Sequence, residues 1–231
     1  MTFRALAALA VATSIAVAGD PAAESAKARG SELRSALKSG TAEEKRSAIS
    51  ACGAVAHALS AAALGPVLSD PSDDLRIAAA EALGTMKGLP EAARALGAGV
   101  NVNARKPEIL KAVFKAMGQV NHPDAVAALK EFLGRRIPMK DDRESDLVVA
   151  GIEALSQIRW KAAVEVMVDV TERQVGIGTG CSEGHHGPVF SALKRGLREF
   201  SGREFNMPGE PKAWWKKAGK DLNDDLTPRK K

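Results

Sequence analysis

Apolar and polar positions along the chain follow a helical period. Four small residues stand at the ends of apolar runs: Gly53, Gly84, Gly118 and Ser156, spaced 31, 34 and 38 residues apart. One position before them the column is apolar, Cys52, Leu83, Met117 and Leu155. Two before, it is entirely Ala51, Ala82, Ala116 and Ala154. Four before, it reads Ile49, Ala80, Phe114 and Ile152; nine before, Glu44, Leu75, Ile109 and Leu147. Three before, it is polar throughout: Ser50, Glu81, Lys115 and Glu153. Apolar columns three to five positions apart make one stripe on a helix, and an alanine column lets two helices approach closely.

Start signals bound these helices. Thr41-Ala42-Glu43-Glu44 offers a hydroxyl for orphan amides and carboxylates for the first turn. Ser72-Asp73-Asp74 and Asp141-Asp142 repeat that chemistry. A second helix follows each anchor: Leu89-Pro90-Glu91-Ala92 opens one, His122-Pro123-Asp124-Ala125 the next, and Trp160 to Val170 is the third. Proline suits a first helical turn, where its missing N–H has no partner to lose. Upstream, Ser25 to Ser39 reads as a helix ended by Gly40 and weakened by Gly30. Each unit is a helix–turn–helix pair that cannot bury its stripe alone. The expected fold is therefore all-α, about five helical pairs stacked as a solenoid.

The segment Asp73-Asp74-Leu75-Arg76-Ile77-Ala78-Ala79-Ala80-Glu81-Ala82-Leu83-Gly84 resembles the first helix of a HEAT or HEAT-like (PBS-lyase type) repeat. Pro107 to Leu133 is similar, and the resemblance runs over residues 41–175. It implies a right-handed α-α superhelix serving as a scaffold or adaptor, with bilin lyases and some DNA glycosylases as enzymatic relatives. Beyond it, Gly202-Arg203-Glu204-Phe205 leads to Trp214-Trp215. This resembles the terminal unit of exported bacterial HEAT-repeat proteins, where large aromatics seal the last open core. One Trp is expected to face fully inward and the other to lie on the rim. Residues 19–40 then form an N-terminal cap, 188–222 a C-terminal helical pair and 223–231 a solvated basic tail.

Composition narrows the function. Aromatics are 4% of the chain and Tyr is absent, which leaves little stacking surface for bases or tetrapyrroles. The net charge of +5 is mild for 231 residues, so nucleic acid is not an expected partner. At the start, the apolar run Ala5 to Ala18 follows Arg4 and ends in Ala16-Val17-Ala18, an A-x-A pattern. Residues 1–18 read as a secretory signal, which places the mature chain in the periplasm or outside the cell, without a membrane span.

Candidate chemistry is sparse. Residues 176–187 form a glycine-rich insertion holding Cys181, His185 and His186, soft and borderline ligands that would suit Zn²⁺. The competing readings are a plain flexible insertion between repeats and a binding loop that orders on a partner. The Gly176-x-Gly178-x-Gly180 run lacks the Gly-Lys-Ser/Thr of a phosphate loop. Cys52 and Cys181 lie several stacked units apart, too far for one disulfide, so both are expected as free thiols. His57 and His122 stand beside second helices and read as capping or surface residues. Arg135-Arg136 and Trp214-Trp215 are the candidate interaction residues, and no catalytic residue or cofactor is expected. The function expected is a non-catalytic scaffold for a protein partner. The alternatives are a lyase-type enzyme or accessory and a metal-responsive binder.

Overall fold

The computed structural model describes residues 20–137, 142–177, 187–206 and 209–229. Among the described residues eleven α-helices follow one another: α1 Pro21–Ser39, α2 Ala42–Gly53, α3 Ala58–Leu64, α4 Asp73–Gly84, α5 Pro90–Val102, α6 Pro107–Val120, α7 Asp124–Arg136, α8 Asp142–Gln157, α9 Lys161–Ile177, α10 Gly187–Ser201 and α11 Glu210–Ala218. Short 3-10 turns occupy Gly65–Ser69 and Gly219–Asp221. No strand occurs among the described residues, and none of the described helices is long and apolar enough to cross a membrane.

The helices stack in two layers. Helices α2, α4, α6, α8 and α10 pack successively on one another as the first layer. Helices α1, α3, α5, α7, α9 and α11 do so as the second. The chain thus forms five helical pairs from α2 to α11, with α1 closing the N-terminal end against α2 and α3. The hydrophobic core runs continuously between the layers from Leu33 to Phe205. Cys52, Leu83, Met117 and Leu155, the column expected to be apolar, are all completely buried.

The alanine column does what its size allows. A Cβ on Gly53 would lie 2.7 Å from the Ala82 Cβ, and one on Gly84 would lie 3.1 Å from the Ala116 Cα. Gly118 lies against the Gln157 side chain, and a Cβ on Gly196 of α10 would meet Ser156 at 3.1 Å. In the second layer the equivalent distances are ordinary contacts: 3.4 Å from Gly30 to Ala63, 3.7 Å from Gly65 to Ala95 and 3.4 Å from Gly97 to Ala128. Gly99 there meets only the end of the Leu68 side chain. First-layer helices therefore touch backbone to small side chain at their turns, and the second layer is looser. Gly30, which weakens α1 by propensity, sits buried against Ala63 of α3.

Capping follows the sequence in part. Thr41 and Glu44 form a reciprocal capping box: the Thr41 hydroxyl accepts the Glu44 N–H at 3.3 Å, and Glu44 Oε2 accepts the Thr41 N–H at 2.7 Å. Ser72 stands at the N-cap of α4, but its hydroxyl makes no capping bond. Instead the Asp70 carboxylate accepts the Ser72 N–H at 2.8 Å. Helix α1 starts earlier than Ser25, because Asp20 accepts the Ala22 N–H at 3.0 Å and Pro21 takes the first helical position. Asp141 lies outside the described residues.

Successive turns are tied along the stack. The Thr85 hydroxyl is shared between the Ala82 carbonyl of its own helix at 2.7 Å and the Gly53 carbonyl at 3.0 Å, and the Gly88 N–H donates to the Val120 carbonyl at 2.7 Å. Asn121, left-handed at φ 52°, accepts the Arg159 N–H on its Oδ1 at 2.7 Å and the Trp160 indole N–H on its carbonyl at 3.3 Å. At the opposite end of the pairs, Asn103 is wholly buried. Its amide donates to the Leu68 and Gly99 carbonyls at 3.0 and 2.9 Å, and its Oδ1 accepts Arg76 Nη1 at 2.9 Å. One side chain thus joins two repeats, with both amide N–H groups and the Oδ1 engaged.

The C-terminal tail departs in part from expectation. Read as a solvated tail, it stays mostly exposed but turns back in an ordered loop as far as Arg229. Leu222 bridges Pro228, Leu226 adopts φ 63°, and the Arg229 N–H reaches the Asp221 carbonyl at 2.8 Å. The Lys161 N–H, at the start of α9, donates to the Asp224 carbonyl at 2.7 Å. Packing of Leu226 on the core holds the loop down.

Candidate functional site

The first-layer surface carries two open grooves built from the same columns. One, of about 400 Å³, lies between α2 and α4. The other, of about 500 Å³, lies between α6 and α8. Seven positions before its anchor, the leading helix supplies a cation, Arg46 or Lys111. The following helix supplies a carboxylate three positions before its anchor, Glu81 or Glu153. Alanines make the floor: Ala78 and Ala82 in one, Ala150 and Ala154 in the other. Lys115, of the same polar column as Glu81 and Glu153, also faces the second groove.

These positions have a local origin. Residues four apart share a helix face, so Ala78 with Ala82 and Ala150 with Ala154 form paired small steps. Small steps sink the surface, while longer charged side chains around them rise as rims. Arg46 spans to Asp74 of the next helix at 2.7 Å, and Lys111 pairs with Glu108 of its own helix at 3.1 Å. All four groups are partly or fully exposed, so these pairs orient side chains and add little stability. The polar column was legible in the sequence. The cations seven positions before the anchor were not singled out, though Arg46 and Lys111 repeat in register two units apart.

The sequence-based candidates are scattered over the molecule. Arg135 bonds to Glu131 one turn back on α7. Arg136 donates to the Ala104 carbonyl at 3.3 Å and stacks 4.9 Å from the Phe132 ring centre, which ties α7 to the turn before α6. Trp214 and Trp215 sit on α11, at the far end from α1. Both are half-buried, with ring centres 5.4 Å apart. Neither faces fully inward, which corrects the expected split. Phe205 is the inward aromatic at 3% exposure, and Trp214 packs on it at 5.7 Å. Trp215 instead covers the backbone of Gly219. Phe200 lies under the Arg159 guanidinium at 4.4 Å. Cys181, His185 and His186 lie outside the described residues. Among the described residues no cluster of His, Cys, Asp and Glu is arranged for a metal ion.

The remaining reactive side chains have structural roles. Cys52 is a buried free thiol whose S–H donates to the Ser60 carbonyl at 3.7 Å. Burial pushes its pKa above the ordinary range; the bond to Ser60 and the positive field of Arg34 offset this only in part. It therefore stays protonated and a poor nucleophile. His57 Nδ1 accepts the Leu59 N–H at 3.1 Å, and His122 Nδ1 accepts the Asp124 N–H at 3.2 Å. Both histidines thus serve orphan donors at the starts of α3 and α7, as their positions beside second helices implied.

Two layers of stacked helical pairs around one continuous core, with grooves recurring at equivalent positions, define an all-α solenoid. Residues 30–106 match the family model for HEAT repeats. The match takes in α2 to α5 and the first of the two grooves. No curated protein matches the chain at a significant level.

Proposed function

We propose that the protein is a non-catalytic interaction scaffold that holds a protein partner along its first layer, in the periplasm or outside the cell. The observation that carries this reading is the repetition of one groove design, cation, alanine floor and glutamate, between α2 and α4 and again between α6 and α8. Two equivalent clefts on one surface favour a ligand long enough to engage both. Neighbouring helices in a layer stand roughly 8–10 Å apart, so the grooves repeat at about 20 Å. A polypeptide segment spans that distance and offers polar groups to both sites; a small metabolite fills only one. The apolar run and Ala16-Val17-Ala18 support export.

A photo-crosslinking residue at Glu153, in the second groove, tests the scaffold reading in the native host. Capture of a discrete partner from Glu153 but not from Lys130 on the second layer is expected. Equal capture from both positions, or none from Glu153, would overturn it. Cell fractionation with N-terminal sequencing tests the location: the mature chain should begin at or near Gly19. A chain retaining Met1 in the cytoplasm would refute export.

A further inference from the structure

Charge is distributed unevenly along this chain. From Lys194 onward there are eleven Lys and Arg against six Asp and Glu, a net +5. That equals the formal charge of all 231 residues, so everything before Lys194 is neutral in sum. The C-terminal unit is thus the one cationic end of a balanced molecule. Arg195, Arg198 and Lys212 are paired, with Glu153, Glu204 and Glu172. Among the described residues Arg203, Lys216, Lys217 and Lys220 have no ion-pair partner.

Two of these cations flank a cleft. A cavity of about 350 Å³ opens between the Arg203–Phe205 segment and α11, lined by Arg203, Glu204, Phe205, Glu210, Trp214 and Lys217 along with Ala213. Phe205 and Trp214, in ring contact at 5.7 Å, give it an aromatic wall. Both acidic residues in the lining are engaged: Glu204 binds Arg198 at 2.6 Å, and Glu210 accepts the Asn206 N–H at 2.7 Å. Arg203 and Lys217 remain to meet a ligand. A helix C-terminus favours the cation at Lys217, but it gives no reason for Arg203 on the facing segment.

We propose that this cleft is a second docking site, separate from the first-layer grooves, for an acidic peptide segment carrying one large apolar side chain. The apolar side chain seats on the Phe205–Trp214 wall, and flanking carboxylates meet Arg203 and Lys217. Lys216 and Lys220 extend the positive field and speed encounter with an acidic partner. The volume lies at the low end of the roughly 300–1,000 Å³ typical of ligand pockets, which suits one side chain. A bilayer would need apolar groups standing proud of the surface. Here both Trp rings are folded into the unit, and the concavity faces the ligand.

Panning a random peptide library against the full chain tests this directly. Enriched peptides should carry net negative charge with one Leu, Phe or Trp. Their affinity, read by fluorescence anisotropy, should fall about tenfold or more in Arg203→Gln/Lys217→Gln and fall with added salt. Lys130→Gln, a surface cation on α7, should leave it unchanged. Trp214→Leu, checked by thermal melt for folding, should keep the acidic bias and lose the preference for an aromatic. Peptides without acidic bias, or binding undiminished in the double variant, would overturn the proposal. So would phosphatidylglycerol vesicles binding with the same dependence on Arg203 and Lys217, since the end would then be a membrane surface. Failure here leaves the crosslinking result at Glu153 untouched, so the two sites stand or fall separately.

Discussion

A side chain's worth in this molecule depends on which column it occupies. Leu83 of α4 is completely buried, whereas Glu81, two residues away, is exposed on the groove rim. Leu83→Asp should cost several kcal/mol, comparable to the stability of a small domain, because an unpaired carboxylate enters the core. Glu81→Ala should change stability by under about 0.5 kcal/mol. Denaturant melts of the two variants check the register of every column, and similar curves would refute it. Trp214 and Trp215 are both only partly buried, so each change to Ala should cost about 2 kcal/mol, less than the 3–5 kcal/mol of a fully buried Trp. Phe205→Ala should cost more than either, since Phe205 is the aromatic that points inward. A larger loss from one Trp than from Phe205 would contradict the packing. The sequence showed the aromatic cluster but not its inward member, because adjacent residues on a helix differ by about 100° and the backbone before α11 decides the rest.

At the level of the helix, capping and small-residue contacts make separable contributions. Hydrogen bonds from Thr41 hold the Glu44 carboxyl below its usual pKa. A carboxyl with a lowered folded pKa stabilises the fold above its unfolded pKa, and that contribution is lost as pH falls through the folded pKa. Parent and Glu44→Ala melts should therefore differ at neutral pH and converge in acid. A gap that persists in acid would sink the capping-box account. Gly53→Ala should destabilise, since the new Cβ would sit 2.7 Å from that of Ala82 and 3.0 Å from its Cα. Gly97→Ala meets Ala128 at 3.4 Å and removes a mid-helix glycine, so it should be neutral or stabilising by up to about 1 kcal/mol. Opposite signs in thermal melts are the expected result. Period and caps made α4 to α7 readable, because those signals are local. The ties through Asn103 and Asn121 were not, because their partners lie 27 to 39 residues away in sequence. The same holds for the return of the tail to Lys161, 61 residues from Leu222. Alanine-floored grooves were half visible: the Ala and polar columns were legible, but only stacking shows which pairs of helices leave the floor open.

For the whole molecule, a stack in which each unit touches chiefly its neighbours unfolds from its ends. Hydrogen exchange should be slowest in α4 to α8, which have neighbours on both sides, and faster in α1 and α11. Uniform protection from end to end would mean the repeats do not act as separate units. The two layers also differ in how they yield to load. First-layer turns leave no room for a methyl group at Gly53, Gly84 and Gly196 without a shift of the neighbouring helix, while Gly30, Gly65 and Gly97 in the second layer do leave room for one. Such a stack is a one-sided spring. Squeezing the first layer is stiff from the outset, whereas opening it draws the second layer into space that the missing methyls leave free. A long ligand lying over both grooves would therefore spread them rather than pinch them.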